Sequence, residues 1–217
     1  MYFIKAPFWL RLLYRPLMWK VPEKDKVIYL TFDDGPHAKA TPFVLDQLKK
    51  YGAKATFFCI GKNVDAEKAI FERILLEGHK VGNHTQNHVN GWKVSTGQYL
   101  SNIDLATHSI PSSLFRPPYG RIRLNAITRV KSLISLRAKE KGIQTDAKIV
   151  MWDVLSGDFD EYLSPEKCLQ NVLKYTKSGS IVVFHDSAKA WERMEYALPK
   201  LLDYYIQSGY VCKVIPD

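Results

Sequence analysis

Cysteine is scarce in this chain. Cys59, Cys168 and Cys212 are an odd number with no metal-binding spacing, and each lies in or near an apolar stretch. They read as reduced core residues, which fits a cytoplasmic compartment. No run of about 18 uncharged apolar residues exists, so a membrane-spanning helix is not expected. No glycine-rich loop follows the first apolar strand, which disfavours dinucleotide and nucleoside-triphosphate cofactors. The N-terminal apolar stretch Phe8–Trp19 is interrupted by Arg11, Arg15 and Pro16, and no small-residue cleavage site follows; it does not read as a signal peptide. Repeats, low-complexity tracts and linkers are also lacking, so the 217 residues are expected to form one domain.

What is present is an ordinary globular composition: 46% hydrophobic, 12% aromatic and 24% charged. The net charge of +9 is unevenly placed. Residues 1–26 carry six basic and two acidic side chains, and residues 121–150 carry eight and two, so the remainder is nearly neutral. These two segments are either solvated surfaces or contacts for something anionic. They lack interleaved aromatics or a reader motif, so nucleic acid is not an expected partner.

Strand and helix signals alternate. Val27–Phe32, Ala55–Ile60, Lys80–Gly82, Ser113–Phe115, Ile149–Val154, Ile181–Phe184 and Tyr210–Ile215 read as strands. Thr41 is expected to cap a helix that Gly52 stops, and Asp65 a second that Gly78 stops; a third helix runs from about Trp191 to Gln207. That order implies right-handed crossovers and a parallel sheet. About seven strands in this length suit a small barrel.

The candidate functional residues fall just beyond the C-terminal ends of five strands, the rim where parallel barrels do their chemistry. Asp33 and Asp34 place two carboxylates on a tight turn, where one can bind a metal and the other act as a base. A plain Asp-Gly turn is the bland reading. His84 and His88 stand at i, i+4, a spacing that brings two imidazoles to one point on a helical turn and suits zinc. Thr85 occupies the position where a metalloprotease carries its glutamate, so the base must come from elsewhere. With Asp34 the two histidines make three protein ligands with an open position, the pattern of a catalytic metal site. Arg116-Pro117-Pro118-Tyr119-Gly120 is a stiff loop whose arginine can fork onto a carboxylate and whose backbone N–H can face a substrate oxygen. A carboxylate such as Asp158 beside His185 would hold the imidazole's pKa up, which suits a general acid. His37, His79 and His108 have no such context and read as structural or surface residues.

These segments resemble the polysaccharide deacetylases of carbohydrate esterase family 4, which include chitin, chitooligosaccharide and peptidoglycan deacetylases. The motifs occur in order: Thr31–Pro36, His84–His88, Arg116–Gly120, Trp152–Phe159 and Val183–His185. The resemblance covers roughly residues 27 to 215. It implies a distorted parallel (β/α) barrel and a divalent metal, usually zinc with cobalt or another ion also accepted, on Asp34, His84 and His88. It further implies Asp33 as general base, Arg116 as its orienter, the Tyr119 backbone N–H as an oxyanion donor, and His185, tuned by Asp158, as general acid. Val183 would line the pocket for the acyl methyl. Phe159 stands where the family commonly has tryptophan, and Val183 where leucine is usual; with Pro117 they are expected to shape the substrate groove.

The expected reaction is therefore metal-dependent removal of an acetyl group from an N-acetylated sugar. Two alternatives remain: hydrolysis of the C–N bond of a lipid-linked formyl or acetyl amino sugar or another non-peptide amide, and an inactive glycan-binding protein on the same scaffold. Residues 1–26 are expected to pack on a catalytic unit of residues 27–217 as a cap, with peripheral membrane contact as the alternative. The sequence leaves the oligomeric state open.

Overall fold

The structure is a computed structural model that describes residues 2–216. Among these residues, eight strands form one parallel sheet: β1 Val27–Asp33, β2 Ala55–Cys59, β3 Lys80–Asn83, β4 Leu114–Phe115, β5 Lys148–Ile149, β6 Val154–Leu155, β7 Ile181–His185 and β8 Val211–Cys212. Seven follow the order β5-β4-β3-β2-β1-β7-β6, and β8 pairs with β1. The sheet curls into a distorted (β/α) barrel.

The helices are α1 Phe8–Leu13, α2 Ala40–Lys50, α3 Gly61–Ala66, α4 Lys68–Leu76, α5 Thr96–Thr107, α6 Ile127–Glu140, α7 Pro165–Tyr175 and α8 Trp191–Gln207. Strand alternation explains how they pack. In β1, Ile28, Leu30 and Phe32 join the apolar cluster shared with α2, α7 and α8, while Tyr29 joins the cluster inside the barrel with Phe58, Leu114 and Ile181. Because neighbouring side chains of a strand point to opposite faces, Thr31 and Asp33 share the interior face with Tyr29. By the same rule Val183 and His185 share the interior face of β7 with Ile181.

Several sequence expectations need correction. Ile149–Val154 is not one strand. The sheet path has β5 at one end and β6 at the other, so residues 150–153 must cross the gap between them. Part of that gap is filled from the N-terminus: Met18 donates to the Ile149 carbonyl at 2.9 Å and accepts from the Met151 N–H at 2.7 Å, and the Leu155 N–H reaches the Ile4 carbonyl at 2.8 Å.

Thr41 is not an N-cap. It lies inside α2, and its hydroxyl accepts from the His37 N–H and donates to Asp186. Asp65 does not cap the second long helix either. It lies in α3, bonded to Gln86 and Ser109, and α4 starts after Glu67. The helices α5, α6 and α7 were not anticipated, although Ser95 with Gln98 forms a capping box and Ser164 caps α7 with Pro165 in its first turn. All three cysteines are free and buried, as expected.

Candidate active site

The site is assembled at the C-terminal ends of β1, β3, β4 and β7. Asp33 ends β1 on the interior face. Asp34 follows at φ 80°, a left-handed backbone that turns its carboxylate to a different direction from its neighbour's. The turn has a specific support: Asp186 accepts from the Gly35 N–H at 3.1 Å and from Thr41 at 2.5 Å. A Cβ on Gly35 would lie 2.0 Å from the Asp186 carboxylate, so only glycine fits this approach. Burial pushes Asp186 up to about 8, with the Asp34 charge adding to it and the Thr41 and Gly35 bonds opposing.

His84 and His88 do meet, but not on a helical turn. The segment is a loop in which Thr85 and His88 take left-handed φ values of 65° and 54°. The buried side chain of Asn83 holds it, accepting from the Thr85 N–H at 2.8 Å and donating to the Ile103 carbonyl at 3.0 Å. Thr85 accepts from the Val89 N–H at 3.0 Å. The imidazole rings end 5.1 Å apart.

One atom each from Asp34, His84 and His88 lie within 4.8 Å of one another. Their polar chemistry fits a cation. The His84 Nδ1 lies 2.8 Å from the Arg116 carbonyl, which can only accept, so Nδ1 carries the proton and Nε2 presents a lone pair. That Nε2 faces Asp34 Oδ1 at 3.7 Å. Burial lowers His84 to about 4, keeping the imidazole neutral as a ligand must be. His88 Nε2 approaches the same carboxylate oxygen at 3.1 Å without meeting hydrogen-bond geometry, and Asp34 Oδ1 is a buried acceptor with no hydrogen-bond partner. Burial alone would raise the Asp34 pKa, but His88, His185 and His84 together hold it well below the ordinary carboxylate range. Acceptors converging without protons between them are what a divalent ion would satisfy.

Asp33 faces a different partner. The Arg116 guanidinium is fully buried and donates to Asp33 at 2.6 Å, to Thr31 at 2.7 Å, and to the Val150 and Met151 carbonyls at 3.2 and 3.0 Å. It also lies over the Phe58 ring at 4.0 Å. Thr31, one turn of the strand pleat below Asp33, was missed by sequence reasoning, though its spacing of two places it on the same face.

His185 ends β7 with Nδ1 2.8 Å from one oxygen of Asp158, while its backbone N–H reaches the other at 2.7 Å. Burial opposes its charge more than any other single influence. Asp158, then Asp34 and Asp33, outweigh this and raise it to about 10. Phe159 packs edge-on to the His185 ring at 5.2 Å and to Tyr2 at 4.9 Å. Val183 is buried below His185 in β7.

Tyr119 was singled out for its backbone N–H, and its side chain proves as informative. At φ 58° the residue is left-handed, its ring lies 4.5 Å from His88, and its hydroxyl is 3.1 Å from His88 Nδ1. No hydrogen bond from its N–H is found among the described residues. Pro117 is buried and accepts from the Gly120 N–H, closing the loop. Tyr119, Gly120 and Trp152 also line an apolar cavity of about 330 Å³, together with Trp9, Leu10 and Leu13.

Residues 20–134 match the family model described as polysaccharide deacetylase. The chain is 37% identical over 200 residues to a peptidoglycan-N-acetylglucosamine deacetylase of Bacillus cereus, covering 88% of this chain and 87% of that one. It is 34% identical to chitin deacetylase 2 of Saccharomyces cerevisiae, covering 79% of this chain and 54% of that protein. Some curated relatives are longer still: the chain spans 37% of the peptidoglycan-N-acetylglucosamine deacetylase PgdA of Listeria monocytogenes. Among solved structures, the Bc1960 peptidoglycan N-acetylglucosamine deacetylase superposes with a TM-score of 0.81 at 28% identity, covering 97% and 95% of the two chains. PdaC of Bacillus subtilis gives 0.76 at 28%, with 90% of each covered. The extent of these matches, over a barrel that carries the five motifs at its rim, establishes that the chain belongs to the polysaccharide deacetylase family.

Proposed function

We propose that this protein hydrolyses the acetamide of an N-acetylated sugar in a glycan such as peptidoglycan or chitin, using a divalent ion on Asp34, His84 and His88. Zinc fits this Asp-His-His set best, and cobalt or another divalent ion is also compatible with it. The observation that carries the reading is the pairing of two differently partnered carboxylates, Asp33 on Arg116 and Asp34 on the histidines, with the His185–Asp158 pair beside them. A bound ion would supply Lewis-acid polarisation of the amide carbonyl and make water a better nucleophile.

The chain's own residues supply the rest. Asp33, fixed by Arg116, takes the proton of the attacking water. Arg116 cannot itself serve as a base, and its burial with four acceptors leaves it one orientation, so its role is positioning. His185 stays protonated through neutral pH because of Asp158 and gives its proton to the departing amine, without which amide cleavage stalls. The Tyr119 N–H, with no intramolecular acceptor among the described residues, is free to donate to the developing oxyanion. Val183, Phe159 and Pro117 shape the walls around the acyl group and sugar. The products are a free amine and acetate.

We further read residues 1–26 as an extension packed on a catalytic unit of residues 27–217. Supporting this, Ala6, Leu17 and Trp19 pack with Ile127, Val130 and Met151, and the family match begins only at residue 20.

The test is acetate release from a panel of N-acetylated oligosaccharides and peptidoglycan fragments, with zinc or cobalt, with and without chelator. Release that chelator abolishes and metal restores is expected. No release from any of them by protein shown to bind metal would overturn the glycan deacetylase reading.

A further inference from the structure

Parts of two basic segments far apart in the chain meet on one face of the fold. Residues 1–26 carry net +4 and residues 121–150 net +6, so together they account for the whole positive balance of the protein. The Tyr14 hydroxyl donates to the Ile122 carbonyl at 3.1 Å, and Lys131 Nζ to the Pro16 carbonyl at 3.0 Å. Ala6, Leu17 and Trp19 share one apolar cluster with Ala126, Ile127 and Val130.

The same face carries apolar side chains that the fold does not cover. None of the six residues of α1 is buried. Phe8, Trp9, Leu12 and Leu13 are 79%, 59%, 60% and 54% exposed. A single exposed leucine needs no explanation, but four adjacent large apolar residues on one short helix do. Trp92 and Tyr119, which line the same apolar cavity as Trp9, Leu10 and Leu13 of α1, are also exposed. Beside this patch Arg15, Arg123 and Lys131 make no ion pair among the described residues, and α1 itself contains no acidic residue.

We propose that this face docks on the surface of an anionic phospholipid bilayer. Phe8, Trp9, Leu12 and Leu13 enter the boundary between head groups and acyl chains, and Arg15, Arg123 and Lys131 lie against the lipid phosphates. A bilayer is the partner that offers both chemistries, negative charge outside and hydrocarbon a few ångströms below it. Nucleic acid offers phosphate but no apolar layer for Phe8 and Leu12. A second copy of this chain on the same face would set the unpaired cations Arg15, Arg123 and Lys131 against their own counterparts. Lys5 and Arg11 are already bound to Asp153, which anchors the inner side of the segment to the barrel and leaves its outer side for the lipid. Tyr119 belongs both to the patch and to the His88 partnership, so docking would place the catalytic rim next to the membrane surface.

The test is flotation of the full chain with vesicles of phosphatidylcholine alone and of phosphatidylcholine mixed with phosphatidylglycerol. Binding to the mixed vesicles is expected, weakening as salt is raised. The Phe8→Glu/Leu12→Glu variant should lose roughly tenfold or more in partitioning, and Arg15→Glu should also weaken it. Both variants alter exposed residues outside the catalytic rim, so acetate release from a soluble N-acetylated oligosaccharide serves as the control and should be unchanged. Equal partitioning onto neutral and anionic vesicles, or onto neither, overturns the proposal. So does partitioning that Phe8→Glu/Leu12→Glu leaves intact, which would mean adsorption by charge alone. A wild-type dimer that these substitutions dissociate would assign the face to a second copy instead. The inference does not depend on the reaction: a catalytically silent chain that floats with anionic vesicles supports it, and an active chain that does not float overturns it alone.

Discussion

The Arg116 guanidinium donates to the Asp33 carboxylate at 2.6 Å, with the arginine side chain wholly out of solvent and the aspartate side chain 5% exposed. This pair sets two adjacent carboxylates apart. Arg116 holds Asp33, whereas Asp34, one residue on and turned by a left-handed backbone, faces only imidazoles. Chemically similar neighbours thus acquire different partners, which suits them to the different roles proposed above.

Asp33→Asn keeps the shape and an acceptor for Arg116 but removes the proton acceptor. The turnover number should fall by roughly 10²–10⁴-fold with KM little changed. Metal binding through Asp34, His84 and His88 should persist. Steady-state kinetics together with metal analysis of the purified variant check this; a variant within threefold of wild-type turnover would remove Asp33 from the role of base.

The His185–Asp158 pair sets a pH window. With His185 raised to about 10, the acid form that the proposed mechanism uses for leaving-group protonation persists well into the alkaline range. Asp158→Asn removes the main influence raising that pKa, so the alkaline limb of kcat/KM should move down toward the ordinary histidine value of about 6.5. The same shift has a stability consequence. Because the folded-state pKa is raised, the favourable contribution is fully present below about 6.5 and is lost as pH rises through about 10. Denaturation of wild type and Asp158→Asn over that range should show the two stabilities converging as pH rises. An alkaline limb that stays in place in the variant would show that His185 is not the titrating acid.

Much of this site was legible because strand ends and side-chain alternation are sequence-local. Asp33, Asp34, His84, Arg116 and His185 each lie at or next to a strand end, and a period of two fixes the face that Asp33 and His185 take. What was not legible depends on distant segments. Ile149–Val154 is an apolar run that passes for a strand, yet the sheet leaves a gap there that Met18 enters, a fact held in the topology and not in the run itself. The approach of His84 and His88 was anticipated from helical spacing but is produced by two left-handed residues and by Asn83, which no periodicity announces. Asp186 directly follows His185 in the chain, and only folding brings it to the Gly35 N–H.

Tyr119→Phe removes the hydroxyl beside His88 Nδ1 and nothing else. With Nε2 turned to the proposed metal site, Nδ1–H would donate to that oxygen, fixing the ring and strengthening Nε2 as a ligand. Zinc affinity should weaken by about 10–100-fold. Because the tyrosine is 60% exposed, thermal stability of the metal-free protein should hardly change. Competitive metal titration against a chelating dye reads the first effect and calorimetry the second. Unchanged affinity would mean that His88 is oriented by its backbone alone.

A buried carboxylate ties the N-terminal segment to the barrel. Asp153 is 1% exposed at its side chain and receives Lys5 at 2.8 Å, Arg11, and the Ser180 hydroxyl at 2.6 Å. Burial pushes its pKa up, but Lys5 and Ser180, then Arg11, outweigh burial and hold it below the ordinary carboxylate range. Pairing of this kind stabilises the fold above that range and is lost as pH falls through the depressed value. Replacing both cations, as Lys5→Met/Arg11→Met, leaves a carboxylate buried with only a hydroxyl partner. The cost near neutral pH should be about 2 kcal/mol, less than for a fully buried pair because both cations keep partial contact with water. Protonation of Asp153 relieves that cost. The difference in melting temperature between wild type and the double variant should therefore be largest near neutral pH and shrink as the solution is acidified. A difference that stays constant across the titration would mean that the two side chains act through their packing on the barrel and not through charge.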